Sequence, residues 1–290
     1  MPLLRTFFHF ILYSNIWIAL AAVASAAQTY LLLDGKIDGT LLVFIFSATV
    51  FLYALHRLIG LSKVKAYQHV NRFQIIGRLQ SSIFLCAAVS ALISGITYCL
   101  LPAMIQWSML VPGALSFAYV LPFLSRGKRL RDVHGVKIFM VAVVWAWVGV
   151  LLPALEMEQW QKAAVGWMML EKTLFIFAIT LAFDIRDFRV DSATHVKTFP
   201  TYLGMKNTKR LAWLLLILMM IVVGINVANG FYHWSTWIAL FISAISSGFL
   251  VQNAHPNRSD YYYTAILDGT IILQSLLIVA AQLWSGSSNM

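Results

Sequence analysis

Acidic residues are scarce in this chain: eleven Asp and Glu among 290 residues, against 21 Lys and Arg. None lies between Asp38 and Asp132. Charged residues of both signs make up 11% of the chain, where a soluble domain carries about 25%. That deficit leaves almost no room for a water-soluble domain. Cysteine is nearly missing too. Cys86 and Cys99 sit in one apolar segment at a spacing that suits neither a zinc site nor a disulfide staple, so both are expected as small buried apolar residues. There is no low-complexity tract and no clear internal repeat. The excess of basic residues gives a net charge of +10, but they fall in short loops between apolar stretches. That distribution excludes a nucleic-acid surface and matches the positive-inside pattern of membrane proteins, with attraction to anionic lipid.

What the chain has in quantity is hydrophobic residues, 60% of the total. Crossing the hydrocarbon layer takes about 20 apolar residues of helix. Nine stretches qualify, at about 7–33, 40–61, 81–101, 103–123, 137–155, 163–185, 210–229, 235–253 and 262–283. The first is too long, and lacks the cleavage site, for a secretory signal, so it is expected to stay as a span. Pro102 forces a tight turn between the third and fourth, and Pro112 should kink the fourth. The expected fold class is all-α, a polytopic membrane protein of about nine transmembrane helices in one bundle around a central cavity. Lys and Arg gather before span one and after spans two, four, six and eight. The N-terminus is therefore expected in the cytoplasm and the C-terminus outside, in a cytoplasmic (inner) membrane.

Three of the eleven carboxylates crowd into eight residues, Asp184-Ile-Arg-Asp187-Phe-Arg-Val-Asp191, at the end of the sixth stretch. On a helix, positions i, i+3 and i+7 share a face. Like charges held so closely repel unless a cation sits among them, so the trio reads as a divalent-metal site at the cytoplasmic boundary. Carboxylates at a helix end beside water cost far less than at mid-bilayer. Magnesium (Mg2+) suits them, because it prefers oxygen ligands and shares its shell with substrate phosphates. Arg186, Arg189 and Lys197 surround the trio, and Lys137 opens the fifth stretch on the same side. Cations mixed with metal-binding carboxylates point to a diphosphate, which a bare metal site would not need. The competing reading is a solvated helix end with internal Asp–Arg pairs. At the mouth of an apolar bundle the diphosphate would belong to a lipid, its tail among the helices. Magnesium would stabilise the departing diphosphate, leaving an allylic carbocation, and the bundle would exclude water until an acceptor reacts.

The pattern Asp184-x-x-Asp187-x-x-x-Asp191, followed by Lys197-Thr198-Phe199-Pro200 and Leu203-Gly204, resembles the second aspartate-rich motif of the UbiA superfamily of intramembrane prenyltransferases. Tyr119-x-x-Pro122, the basic run after it and Lys137 are similar to that family's stretch between its fourth and fifth helices. The resemblance implies a single UbiA-like transmembrane domain over 1–290. It implies transfer of an isoprenyl group from an isoprenyl diphosphate to a small lipophilic or aromatic acceptor. Asp184, Asp187 and Asp191 would hold magnesium, and Lys137, Lys197, Arg57 and Arg72 the diphosphate. It also implies a first motif after helix two, N-x-x-x-D-x-x-x-D, and there the chain departs. The equivalent stretch reads Leu52-Tyr53-Ala-Leu-His56-Arg57-Leu-Ile-Gly60, with Arg57 at about the place of an aspartate. Two explanations stay open. Arg57, with Arg72 or Lys63, binds diphosphate directly through a guanidinium fork, or the chain has lost activity and kept only isoprenoid or lipid binding.

Four further residues are candidates for the cavity. Asp268 lies inside span nine, where a carboxylate either serves function or makes a helix–helix hydrogen bond. Glu171 interrupts span six beside Lys172, either lining the cavity or held by a structural partner. Asn15 in span one either touches substrate or bonds between helices. Tyr119 is placed by the family resemblance. Tyr261, Tyr262 and Tyr263 read as an interface belt. A terpene cyclase is a variant of the transferase reading, in which the acceptor is the substrate's own double bond. A transporter fits less well, because the carboxylates cluster at one rim rather than at mid-membrane.

Overall fold

Backbone polar groups in lipid must be satisfied within the segment that carries them, so long apolar runs become helices. The computed structural model describes the backbone of residues 2–63, 77, 79–120, 135–193 and 196–287, and side chains over 7–59, 77, 79–118, 135–193 and 196–285. Among these the chain is helical, with no strand. The helices are α1 (Pro2–Tyr13), α2 (Ile16–Leu32), α3 (Gly39–Lys63), α4 (Gln80–Leu100), α5 (Ala103–Ser108), α6 (Leu110–Val120) and α7 (Val136–Ala146). A π-turn at Trp147–Leu151 carries α7 into α8 (Leu152–Glu156). Then follow α9 (Ala163–Ala193), α10 (Phe199–Ala228) and α11 (Trp234–Gln252). A second π-turn, Tyr262–Leu267, leads into α12 (Gly269–Ser287).

Six helical segments are long and apolar enough to span a membrane, or seven if the bent pair Phe7–Tyr13 and Ile16–Leu32 forms one span. Among the described residues the fourth and sixth of the nine expected stretches are not in that set. The fourth is described only as far as Val120, and within it α5 and α6 meet at Met109 and run on as one apolar stretch, Ala103–Ala118; Pro112 has no N–H to return to the carbonyl of Ser108. The sixth, α9, carries Glu171 and Lys172 buried in its interior. At 31 residues α9 is about 46 Å long, longer than the ~30 Å hydrocarbon core. Its charged C-terminal turns therefore project beyond the apolar layer. With large apolar side chains exposed along the spans, such as Phe84, Leu92, Leu276 and Leu283, this is an integral, multi-pass membrane protein. Cys99 is among the exposed residues and Cys86 only partly buried, contrary to the expectation that both are interior.

Helix α9 packs most extensively on α10 and also on α7; α10 meets α11, α11 meets α12, and α12 returns to α2, which packs on α3. Helix α3 in turn holds α4. Packing between helices in lipid depends on close approach, which small residues permit. Ala19, Ala21, Ala22 and Ala26 of α2 are buried. At Gly149, in the first π-turn, an added Cβ would stand 2.4 Å from Ser25 Oγ, and the Gly149 carbonyl accepts from Thr29 Oγ1 at 2.7 Å. Only glycine lets these two segments touch.

Candidate functional site

The end of α9 is the scaffold of the site. Asp184 is buried, and its Oδ1 lies 2.7 Å from Lys137 Nζ at the start of α7. One turn later Arg186 grips Asp187 in a two-point contact, Nε to Oδ1 at 2.9 Å and Nη2 to Oδ2 at 3.0 Å. The same guanidinium reaches Asp260 Oδ1 with Nη1 at 3.5 Å, and packs over the rings of Phe183 and Tyr263. The other oxygen of Asp260 accepts from the Tyr13 phenol at 2.9 Å. Arg57 Nη1 donates to the Tyr13 backbone carbonyl at 2.8 Å, and its guanidinium stands over the Tyr13 ring. His9 and Tyr261 join α1 to the same loop. One network thus links α1, α3, α9 and the segment before α12.

The candidates from sequence are placed as follows. Asp184, Asp187, Lys137 and Arg57 lie within this rim. Asp268 follows the second π-turn and is within electrostatic reach of Arg186, Asp260 and Arg57. Asp191, two turns beyond Asp184, is partly exposed, and its carbonyl accepts from Val196 N–H at 2.9 Å. Lys197 is exposed in the loop after α9. Arg72 and the side chain of Tyr119 lie outside the described residues. Glu171 is away from the rim: it is buried and accepts from the Tyr232 phenol at 3.0 Å. Burial and that carboxylate hold the Tyr232 hydroxyl well above its ordinary pKa. Asn15 forms the bend between α1 and α2, with a left-handed backbone (φ 70°), a conformation Asn tolerates better than most residues. Its buried amide nitrogen has no hydrogen-bond partner among the described residues. Tyr263 is a core residue rather than part of an interface belt: it is fully buried and its hydroxyl bonds the His255 carbonyl at 2.8 Å.

The tail of the aspartate motif has a local explanation. Thr198 and Thr201 form a capping box at the start of α10, with Pro200 in the first turn. Gly204 then takes φ 77° and ψ 157°, kinking the helix in a conformation open essentially to glycine alone. These residues fix how the chain leaves the end of α9.

Asp260 was not singled out in the sequence, although it bridges Tyr13 and Arg186. A lone aspartate in a short loop carries no spacing signal; the only hint was its rarity, as one of eleven acids.

Among the described residues, no three His, Cys, Asp or Glu side chains gather as a metal-ligand set. Asp184 and Asp187 already face Lys137 and Arg186. The donor chemistry still fits magnesium in its usual mode, one or two carboxylates with the shell completed by phosphate oxygens and water. It does not fit a preassembled ion held by protein alone.

No family model matches the sequence, and no curated protein matches it. Solved structures do match the fold. A UbiA homolog from Archaeoglobus fulgidus bound to GPP and Mg2+ aligns over 95% of this chain and 99% of that one, with a TM-score of 0.66 and 9% identity. A digeranylgeranylglyceryl phosphate synthase structure aligns over 98% and 100%, with a TM-score of 0.61 and 14% identity. The apo form of a UbiA homolog from Aeropyrum pernix K1 aligns over 94% and 97%, at 0.58 and 12%. The chain therefore has the fold of these UbiA homologs.

Proposed function

We propose that this chain is a magnesium-dependent prenyltransferase acting as one UbiA-like unit over residues 1–290. It moves an isoprenyl group from an isoprenyl diphosphate to a small lipophilic or aromatic acceptor. The reading is supported most by the pair of half-buried Lys137 and buried Asp184, 2.7 Å apart on facing helices at the rim of a UbiA-type fold. That contact sets a cation and a carboxylate side by side where a diphosphate head would rest. The A. fulgidus homolog solved with GPP and Mg2+ supports the same ligand class.

Asp184, Asp187 and Asp191 would hold magnesium, which supplies charge to the departing diphosphate when bound. Lys137, Lys197, Arg57 and Arg72 would hold diphosphate oxygens. Lys137 and Arg186 now face carboxylates; with diphosphate present, their charge would be shared with phosphate, so the anion enters a rim whose cations are already positioned. The allylic C–O bond breaks, its electron pair leaves with diphosphate, and the carbocation bonds to the acceptor, which then loses a proton. Asp268, beside Arg57 and Arg186, would balance developing positive charge or orient the acceptor. The helices keep water from the cation. The protein would lie in the inner membrane with its N-terminus and this rim in the cytoplasm and its C-terminus outside, among membrane lipids.

A second reading, a catalytically silent isoprenoid or lipid binder, is favoured by one observation: the first two carboxylates of the motif are already met by internal cations. Purified protein in detergent, supplied with magnesium, candidate acceptors and labelled geranyl, farnesyl or geranylgeranyl diphosphate, separates the two. The transferase releases diphosphate and forms an alkylated product, both lost in Asp184→Asn and Asp187→Asn. Saturable binding with no turnover on any acceptor would leave the binder.

A further inference from the structure

A second basic site lies outside the aspartate rim, where α11 ends and α10 passes. A hollow of about 430 Å³ is lined by Lys209, Gln252, Asn253, His255, Asn257 and Arg258. None of these is acidic. Lys137 and Arg186 each face a carboxylate, whereas Lys209 and Arg258 form no ion pair among the described residues. Among the described residues no carboxylate is paired with their charge around the hollow.

The hollow is also built rather than incidental. Arg258 is fixed: its Nε donates to the Asn253 carbonyl at 3.3 Å, and its guanidinium packs over the Tyr262 ring at 5.3 Å. The Tyr262 hydroxyl is anchored on the Leu250 carbonyl at 2.6 Å. His255 Nδ1 accepts from the Asn257 N–H at 3.2 Å, which makes Nε2 the nitrogen that carries the ring proton. Two cations, an imidazole N–H and side-chain amides thus line one shallow hollow open to solvent, a donor set suited to phosphate oxygens.

The position selects the source of that phosphate. The hollow closes the end of a membrane-spanning helix, Trp234–Gln252. Below it, on the apolar flanks of the same two helices, Phe249, Leu214 and Ile217 are more than half exposed. Trp213 lies against Gly248, where an added Cβ would come within 2.5 Å of the ring, so the two helices meet closely behind these residues. A polar, cationic head site above a lipid-exposed apolar flank has the two-part chemistry of an anionic phospholipid. We propose that this hollow binds the headgroup of an anionic phospholipid from the surrounding leaflet, as a site separate from the aspartate rim.

Native mass spectrometry of the full chain in detergent tests this. The probes are a phosphatidylglycerol, a phosphatidylcholine with the same tails, and glycerol 3-phosphate. Retention of phosphatidylglycerol is expected to exceed that of phosphatidylcholine, with no retention of glycerol 3-phosphate at the same concentration. Lys209→Gln and Arg258→Gln should each weaken phosphatidylglycerol about fivefold. Asn257→Asp, an exposed loop change, should weaken it in the same direction without touching the helices. Equal retention of the two lipids, or variants that bind like the parent, would overturn the site. Glycerol 3-phosphate binding as tightly as phosphatidylglycerol would overturn the lipid assignment.

Discussion

Replacing Lys172 by Met isolates the structural charges of the interior from those of the rim. Lys172 is 2% exposed, and its Nζ donates to Oε1 of Gln28 at 3.0 Å and to Oε1 of Gln274 at 2.6 Å. It therefore ties α9 to α2 and α12 at once. Met keeps the apolar stem but brings no donor. Two amide oxygens would then face one another with no proton between them, and the neighbouring Glu171 would lose the positive charge beside it. A hydrogen bond to a charged group contributes ~1.5–3 kcal/mol, and removing one partner of a buried charged pair costs ~3–5 kcal/mol. The two figures overlap and do not add. Part of the loss is recoverable, because the Gln274 amide nitrogen has no partner among the described residues. Turning that amide would let it donate to Gln28, restoring ~1 kcal/mol. The net expectation is a loss of roughly 3 kcal/mol. At about 2–4 °C per kcal/mol, the midpoint of thermal unfolding in detergent falls by about 6–12 °C. The double change Glu171→Gln/Lys172→Met leaves no charge buried there and should melt above Lys172→Met alone. A single variant that melts within ~2 °C of the parent, or a double variant that loses the sum of the two singles, would refute this reasoning.

Three further outcomes are expected. Lys137→Met should weaken isoprenyl diphosphate binding about tenfold or more, read by competition with a labelled diphosphate, since it removes a charge-assisted contact; unchanged affinity would detach Lys137 from the diphosphate. Gly204→Ala should cost ~1–3 kcal/mol and lower the unfolding midpoint by several degrees. Nothing lies within 4 Å of the added methyl, so a neutral result would mean the kink is dispensable. Asp260→Ala takes the acceptor from both the Tyr13 phenol and Arg186, so amide hydrogen exchange over α1 should speed up while α10 and α11 stay protected; an unaltered α1 would show that Asp260 does not hold it.

The helices were legible because apolar runs of span length leave the backbone one solution. So was the break that carries a chemical signature. Pro112 marked the stretch where α5 and α6 meet at Met109, whereas Thr198-Phe199-Pro200 and Gly204 were read only as a motif tail, and the start of α10 at Phe199 and its kink at Gly204 lie well before the apolar run at 210–229. The 60° bend between α1 and α2 was not legible. Its cause, Ser14–Asn15 inside an apolar run, is averaged away when hydropathy is read over a span. Of the rim, the aspartates and Lys137 were found because three acids at helical spacing are rare in so basic a chain. Their partners were not. Tyr13 and Asp260 meet across 247 residues of sequence, and Arg186 and Asp260 across 74; neither pair leaves a periodic trace. Glu171 and Lys172 are adjacent yet satisfied on different sides, Tyr232 for one and two glutamines for the other, because consecutive helical positions point about 100° apart.

The gap where a first aspartate motif would stand bears on how a diphosphate is held. At the rim, Asp184, Asp187 and Asp260 are set against Lys137, Arg186 and Arg57, so among these described residues the cations leave no surplus of positive charge. Two like unit charges 4 Å apart near a protein surface repel by ~4 kcal/mol. A diphosphate therefore needs added positive charge, from one of two sources. One is magnesium carried with the substrate. The other is the basic residues in the segments after α3 and α6, where the sequence holds Lys65, Arg72, Arg126, Lys128, Arg129 and Arg131. The sources respond differently to conditions. Chelation removes the first and leaves the second, whereas exposed side-chain charges are screened by salt over about 10 Å at 0.1 M. With magnesium as the main source, chelation should weaken isoprenyl diphosphate binding by at least an order of magnitude, and raising salt at saturating magnesium should change it little. Binding that survives chelation but falls steeply with salt would assign the missing charge to arginine and lysine instead, and would remove the metal from the mechanism.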